Sequence, residues 1–518
     1  MEKITGLKNN VKYTHFNDFS FINKKTENEI LFYVFFLKDF LDDNSLKSNK
    51  KKINLIFSRI ENIIKKDIYF VFLKTFFIEK NILYELKTVD INKEQISHLI
   101  NKKLNYLKKK YNNFFVVDLD YNFNLIGNNV TFDIRNWYLF KCHLSQKGME
   151  VIFTTILDVY NKIFNVSKKI LVLDCDNTLW GGVVGELGPH KIEVNDHGIG
   201  RAYQDFQKKI KFLKERGLIL AISSKNNEND VIEVFKKNKN MILKLDDFVS
   251  FKINWKEKSI NIKEISEELN INLDSFVFWD DNPIEREKVK RNLNDVLVPD
   301  ISKDITNWPN EIINMNCFGK PIITKEDLNK TKQYKNRSLF LNDLKKYEKE
   351  EQEYLKSINM KATFQKVSNK SIARCVQMCE KTNQFNLTTI RHKEDFFKKN
   401  INSNNYIIET VSLKDDYGDH GTVGLYIVEI NKKTKSALLN TFLMSCRILG
   451  RKLEFFMIQN LLINLSKHKI SKLYAKYIKS KKNIIAQNFL VESNFTKLKE
   501  NNYYIKTDQK FENVKNIF

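Results

Sequence analysis

The sequence predicts an α/β protein: a parallel sheet with crossover helices, a second α/β block after it, and a further α/β region before both. Three observations carry this. Short apolar runs alternate with helical stretches between residues 170 and 280. Two of those runs end directly in paired carboxylates, Asp174-Cys175-Asp176 and Asp280-Asp281. A chain of 518 residues is also too long for one hydrophobic core.

The elements follow in order. Residues 1–165 mix helical stretches with the apolar runs Ile68–Leu73 and Phe114–Val117, and carry no motif that ties to chemistry. The block 166–320 opens with the buried-strand run Ile170–Leu173. It continues with a helix over 200–216, a strand Leu218–Ser223, a helix over 228–238, a short strand near Phe248–Phe251, a helix over 258–269 and a strand Ser275–Trp279. Lys325 to Ile358 is dense in Lys and Glu and reads as a solvated helical connector, spanning 321–359. Residues 360–518 begin a new α/β pattern. With 5 prolines and no Gly/Ser-rich linker, pattern alone sets these boundaries.

Hydrophobic residues make up 42% of the chain, enough for a globular protein. Lys+Arg 87 against Asp+Glu 63 gives +24, which suits an acidic partner. The basic residues are spread along a sequence rich in Lys, Asn, Ile and Phe, as a general compositional bias would spread them. The six cysteines (Cys142, Cys175, Cys317, Cys375, Cys379, Cys446) form no Cys-x-x-Cys pair and no secreted disulfide framework. Cys375 and Cys379 lack the second ligand pair that a zinc site needs. The segment Met1–Asn10 is polar, and the apolar run Ile30–Leu37 is too short to cross a bilayer. These features predict a soluble, cytoplasmic protein without a membrane partner.

The carboxylates are the sharpest signal. In an open parallel sheet, ligands bind beyond the carboxyl ends of the strands. Asp174 and Asp176 follow one predicted strand, Ser223-Ser224-Lys225-Asn226 end another, Asp280 and Asp281 follow a third, and Lys258 starts a helix. Four carboxylates gathered there repel one another unless a cation joins them. Oxygen ligands and a phosphate substrate call for Mg²⁺. Upstream, Phe115-Val116-Val117-Asp118-Leu119-Asp120 imitates the pattern but has no partner motifs, and reads as a strand-end turn.

Asp174-Cys175-Asp176-Asn177-Thr178 resembles the Asp-x-Asp-x-Thr signature of the haloacid-dehalogenase superfamily, whose core is a Rossmann-like parallel sheet. The resemblance implies Asp174 as nucleophile and Asp176 as general acid and base. It implies Ser224 (or Ser223) as a phosphoryl hydrogen-bond donor and Lys258 as a charge neutraliser. Asp280 and Asp281 would hold Mg²⁺ with Asp174 and Asp176, the last through its carbonyl. The continuation Thr178-Leu179-Trp180-Gly181-Gly182, with Asn226 and Asp280-Asp281-Asn282-Pro283-Ile284-Glu285-Arg286, resembles the FkbH-like subfamily. Its members are similar to glyceryl transferase/phosphatases of polyketide pathways. That implies 1,3-bisphosphoglycerate as substrate and the phosphopantetheine thiol of an acidic acyl carrier protein as acceptor. Lys225 and Arg286 are candidate contacts for a remote phosphate, and Trp180, Gly181 and Gly182 for a lid or floor. Asp133-Ile134-Arg135-Asn136-Trp137-Tyr138 matches the subfamily's pre-phosphatase segment.

In the last block, Lys381-Thr382-Asn383-Gln384-Phe385-Asn386-Leu387-Thr388-Thr389, Tyr417-Gly418-Asp419-His420-Gly421 and Phe442 to Arg451 match the same subfamily, and the block resembles a GNAT-like domain. Arg447 and Gly450 are read as following a strand and opening a helix, where free N–H groups can hold a phosphate. Lys452 departs from that fold's usual small residue. Cys446 stands before this helix start, so the helix and Arg447 would favour its thiolate. His420 and Asp419 are the candidate activating pair, and Cys446 the candidate carrier of the acyl group. Cys175 is the competing cysteine. Asn383, Gln384, Asn386, Thr388 and Thr389 suit hydroxyl or amide recognition. A nucleic-acid end-processing phosphatase is the alternative, but segments 170–190 and 275–290 are not basic, so a nucleic-acid partner is not expected.

Overall fold

The computed structural model describes residues 30–40, 46–66, 68–76, 91–164, 167–319, 328–347, 350–480, 483–509 and 517–518. The polar start Met1–Asn10 and parts of the predicted connector (321–327 and 348–349) lie outside these residues. The chain forms two compact units, 1–165 and 166–518.

In the first unit, β1 (Ile30–Phe36), β2 (Tyr69–Thr75) and β3 (Phe114–Asp118) form a parallel sheet in that order. Helices Leu46–Ile64 and Ile91–Lys110 supply the crossovers, and bury Ile53, Phe57, Ile60, Ile96, Ile100 and Leu104 with Phe70 and Phe72. Asp118 caps the helix Leu119–Ile126 by accepting from the Asp120 amide, and Asp120 accepts from Thr75 and from the Phe76 amide. Both carboxylates are thus committed to local structure.

The second unit holds two sheets. The first is parallel, in the order β6 (Phe248–Ile253), β5 (Ile219–Ser224), β4 (Ile170–Leu173), β7 (Phe276–Trp279). Every residue of β4, β5 and β7 is buried, because helices cover both faces, and this is why these strands read as unbroken apolar runs. Helices Gly198–Lys214, Glu228–Lys237 and Lys258–Leu269 fall within two residues of their predicted bounds. The second sheet is mixed. Its path runs β14 (Thr496–Lys497), β15 (Asn502–Lys506), β13 (Lys472–Lys476), β12 (Ser436–Met444), β11 (Gly418–Asn431), β10 (Tyr406–Asp415), β8 (Lys361–Lys366), with β9 (Phe385–Asn386) on β12. Only β12 and β13 pair in parallel on this path, and helix Leu453–Lys467 connects them. The protein is α/β throughout its described residues, with parallel sheets in its first half and a mixed sheet in its second.

The connector is not a solvated helix. In helix Lys330–Lys346, Tyr334, Arg337 and Phe340 are buried. Tyr334 joins the core under β4 and β7, and Phe340 joins the core of the mixed sheet. Spacings of three place these residues on one face, so the helix ties the two sheets together.

Candidate active site at the strand ends

The chain leaves β4 through Asp174 and β7 through Asp280, and the parallel register sets Leu173 beside Trp279. Asp174, Asp280 and Asp281 therefore converge, each offering a carboxylate oxygen within 4.8 Å of the others. Asp280 is fully buried. Lys258, at the start of helix Lys258–Leu269, places its Nζ 2.9 Å from Asp174 Oδ1 and 2.5 Å from Asp280 Oδ2. Burial alone would lower the Lys258 pKa, but the charges of Asp174 and Asp280 and their hydrogen bonds outweigh it and raise the pKa well above the usual lysine value. Burial and then the charge of Asp174 raise Asp280 to about 7, against the opposing pull of Lys258. Asp281 is raised by the same two effects. One buried ammonium does not balance three clustered carboxylates. This donor set, all hard oxygen, fits a small divalent cation.

Asp176 stands outside this cluster. Its side chain accepts from Trp180 Nε1 (2.9 Å), the Val184 amide (3.1 Å) and Asn226 Nδ2 (2.9 Å). Its carboxylate is therefore not one of the clustered ligands, which leaves its carbonyl for the metal role that the resemblance implies. Burial raises its pKa, against hydrogen bonds from Asn226, Val184 and Trp180. A carboxyl held by several donors and raised by burial suits proton donation and return.

The other predicted residues take distinct places. A cavity of about 190 Å³ is lined by Asp174, Asp176, Asn177, Ser224, Lys225, Asn226, Lys258, Asp281, Asn282 and Glu285. Ser224 lines it, whereas Ser223 is buried away from it. Thr178 exchanges hydrogen bonds with Asp281, which holds the loop after β7 in place. Arg286 donates to the Asp280 and Asp281 carbonyls, so it braces that loop rather than facing the cavity. Trp180 is fully buried and orients Asp176, so it is neither an open lid nor floor. Gly182 adopts φ +90°, and its amide donates to Asn177 Oδ1, while Gly181 pairs with Glu193. Cys175 is buried in the apolar core. Burial and the flanking Asp174 and Asp176 push its thiol well above the ordinary range. Glu285, absent from the predicted set, pairs with Lys225 at 3.0 Å.

Cys446 lies elsewhere. A cavity of about 140 Å³ is lined by Cys446, Arg447, Gln384 and Asn383 from the mixed-sheet half, and by Lys169, Asn270, Asn272 and Ser275 from the first. Lys169 precedes β4 and Ser275 precedes β7, so this cavity opens at the opposite strand ends from Asp174. Cys446 opens a single 3-10 turn, and the long helix starts only at Leu453. Between them Gly450 (φ +94°) and Lys452 (φ +57°) turn the chain, so the thiol is not at the predicted helix N-terminus. Its Sγ is 3.9 Å from Tyr334 Oη. The His420 Nε2 lies 2.8 Å from Asp415, which also receives Arg451 at 2.6 Å. Asp419 caps its own turn at the Gly421 amide. The hydrogen bonds among the described residues do not link His420 to Cys446 or to Asp419. Asn386 is fully buried and holds its own loop through Thr382, Thr388 and Thr389, and Asn383 accepts from Arg391. Gln384 reaches Asn270 and Asn272 across the cavity.

No family model matches the sequence, and no curated protein matches it. Among solved structures, the chain is similar to the N-terminal part of the protein BF1531 from Bacteroides fragilis, which contains a phosphatase domain and is complexed with Mg. That match has 32% identity and a TM-score of 0.50, and covers 56% of this chain and 80% of that one. A GNAT-family acetyltransferase of Staphylococcus aureus matches at 13% identity and a TM-score of 0.22, covering 29% of this chain and 100% of that one. A spermidine N-acetyltransferase of Vibrio cholerae matches at 14% identity and 0.23, covering 28% and 95%. With about a third of its residues identical over most of the BF1531 phosphatase part, the chain belongs to the same family as that phosphatase.

Proposed function

We propose that the protein is a magnesium-dependent, FkbH-like phosphatase and acyltransferase. It would dephosphorylate a small acyl-phosphate metabolite, 1,3-bisphosphoglycerate, and load the glyceryl-type group on an acidic acyl carrier protein, in the cytoplasm, for polyketide or surface-glycan assembly. The observation that carries the phosphatase half is the cluster Asp174–Asp280–Asp281 with Lys258 between two of its members, beside Asp176 in one open cavity. Mg²⁺ bound there would neutralise the phosphoryl oxygens. Asp174 attacks phosphorus and the phosphate–oxygen bond to the leaving group breaks. Asp176 gives its proton to that oxygen, then takes one from the water that hydrolyses the aspartyl phosphate.

Chemistry divides the labour. Attack by Asp174 on the acyl phosphate would leave a carboxylate, which cannot acylate a thiol. The phosphate ester is therefore the substrate of Asp174. The acyl phosphate drives thioester formation: a thiolate adds to the carbonyl, and inorganic phosphate leaves. Cys446 is the candidate thiol, in a cavity that Arg447 and Lys169 make basic. The carrier's phosphopantetheine thiol would then take the acyl group by thioester exchange. Intact-mass measurement of a carrier protein after incubation with enzyme, Mg²⁺ and 1,3-bisphosphoglycerate tests this reading. A glyceryl adduct is expected. An unmodified carrier alongside phosphate release from nucleic-acid ends would favour the polynucleotide alternative instead.

A further inference from the structure

Glu285 sits on the first turn of helix Pro283–Asn292, which Asn282 caps and Pro283 opens. One oxygen of its carboxylate takes two lysines: Lys225 Nζ at 3.0 Å and Lys288 Nζ at 3.4 Å. The pairs are unequal in exposure. The Glu285 side chain is 11% exposed, Lys225 31% and Lys288 53%. Lys225 comes from the loop after β5, so its bridge to Glu285 joins that loop to the start of helix Pro283–Asn292, and both residues line the catalytic cavity. The other lysine of the cavity, Lys258, is already committed to Asp174 and Asp280. Lys225 is thus the cation left for whatever extends from the phosphoryl group, and Glu285 occupies it.

We propose that Glu285 is a specificity-determining residue, which screens Lys225 so that phosphorylated substrates with a carboxylate tail gain nothing over those with an uncharged tail. The inference rests on the phosphatase reading of the site. Its logic is competition: a monoanionic tail must displace a carboxylate already hydrogen-bonded to Lys225 in a partly desolvated place, and exchanges one ion pair for another. A neutral tail leaves the bridge intact. The consequence for the proposed reaction is direct. A phosphate ester whose carboxyl is already a thioester passes, whereas the free acid is not favoured by its charge.

The test is calorimetric binding of two non-hydrolysable probes to the magnesium-loaded full chain. Phosphonoacetate carries a carboxylate tail, and ethylphosphonate carries none. Wild-type protein is expected to bind the two within about threefold of each other. Glu285→Gln keeps the side-chain size and frees Lys225, so phosphonoacetate should tighten by about tenfold while ethylphosphonate stays within about twofold. Adding Lys225→Gln to that variant should remove the gain. Equal changes for both probes, no change for either, or a gain that survives Lys225→Gln overturns the inference while leaving the phosphatase reading in place. Failure of both probes to bind the magnesium-loaded wild type overturns the phosphatase reading, and this inference with it.

Discussion

The two cavities of the second unit face opposite ends of one parallel sheet, and they are built differently. The Asp174 cavity lies where β4, β5 and β7 release their chains. Each of its acids is held by named donors, and Lys258 is locked between two of them. The Cys446 cavity lies at the beginnings of β4 and β7, and is closed by the mixed-sheet half and the helix Lys330–Lys346. Its thiol touches one hydroxyl at 3.9 Å. A strand of extended chain rises about 3.3 Å per residue, so the five-residue step from Lys169 to Asp174 separates the two by roughly 15 Å or more. The phosphoryl and thiol chemistry proposed above therefore cannot share one bound substrate without its moving. The proposed acyl group would then travel between them by release or on a long carrier arm.

Substitutions at the two cavities should have different effects. The largest effect is expected from Asp174→Asn: magnesium-dependent phosphate release from 3-phosphoglycerate should fall by at least about a thousandfold, since the proposed nucleophile is gone. Lys258→Met should leave buried carboxylates uncompensated. Urea unfolding of the metal-free protein should then show a loss of about 3 kcal/mol, partly restored by Mg²⁺. Trp180→Phe keeps the packing but removes one donor from Asp176. A fall in phosphate release of about tenfold is expected, with an altered pH profile and an unchanged circular dichroism spectrum. The smallest effect on phosphate release, less than about threefold, is expected for Cys446→Ala, which should instead abolish loading of the carrier thiol. Equal losses of both activities in Cys446→Ala would contradict the separation of the sites.

The strand-end site was legible because its signals are local. A buried parallel strand reads as an unbroken apolar run, and Asp174 and Asp280 stand at the first polar positions after β4 and β7. Side-chain direction was not legible. Thr178, Arg286 and Trp180 all belong to the motifs, yet they brace the loop after β7 or orient Asp176 instead of lining the cavity. The Lys225–Glu285 bridge joins residues 60 positions apart, so spacing could not show it. His420 was misdirected for a different reason: its partner Asp415 lies five positions away across the β10–β11 turn, and the neighbouring Asp419 turns to the Gly421 amide instead. The helix N-terminus expected at Cys446 failed because Gly450 and Lys452 adopt positive φ and delay the helix to Leu453. The buried face of the connector was within reach. Tyr334, Arg337 and Phe340 recur every three residues beneath the Lys and Glu that dominate the composition.

The most direct test of the central claim is reductive trapping of the phosphoenzyme. Borohydride added during turnover of a phosphate ester reduces an aspartyl phosphate to homoserine, and peptide mass mapping locates it. Conversion is expected at Asp174 alone, only with Mg²⁺ present. Conversion at Asp176 or another carboxylate, or turnover with no trapped residue, would contradict it.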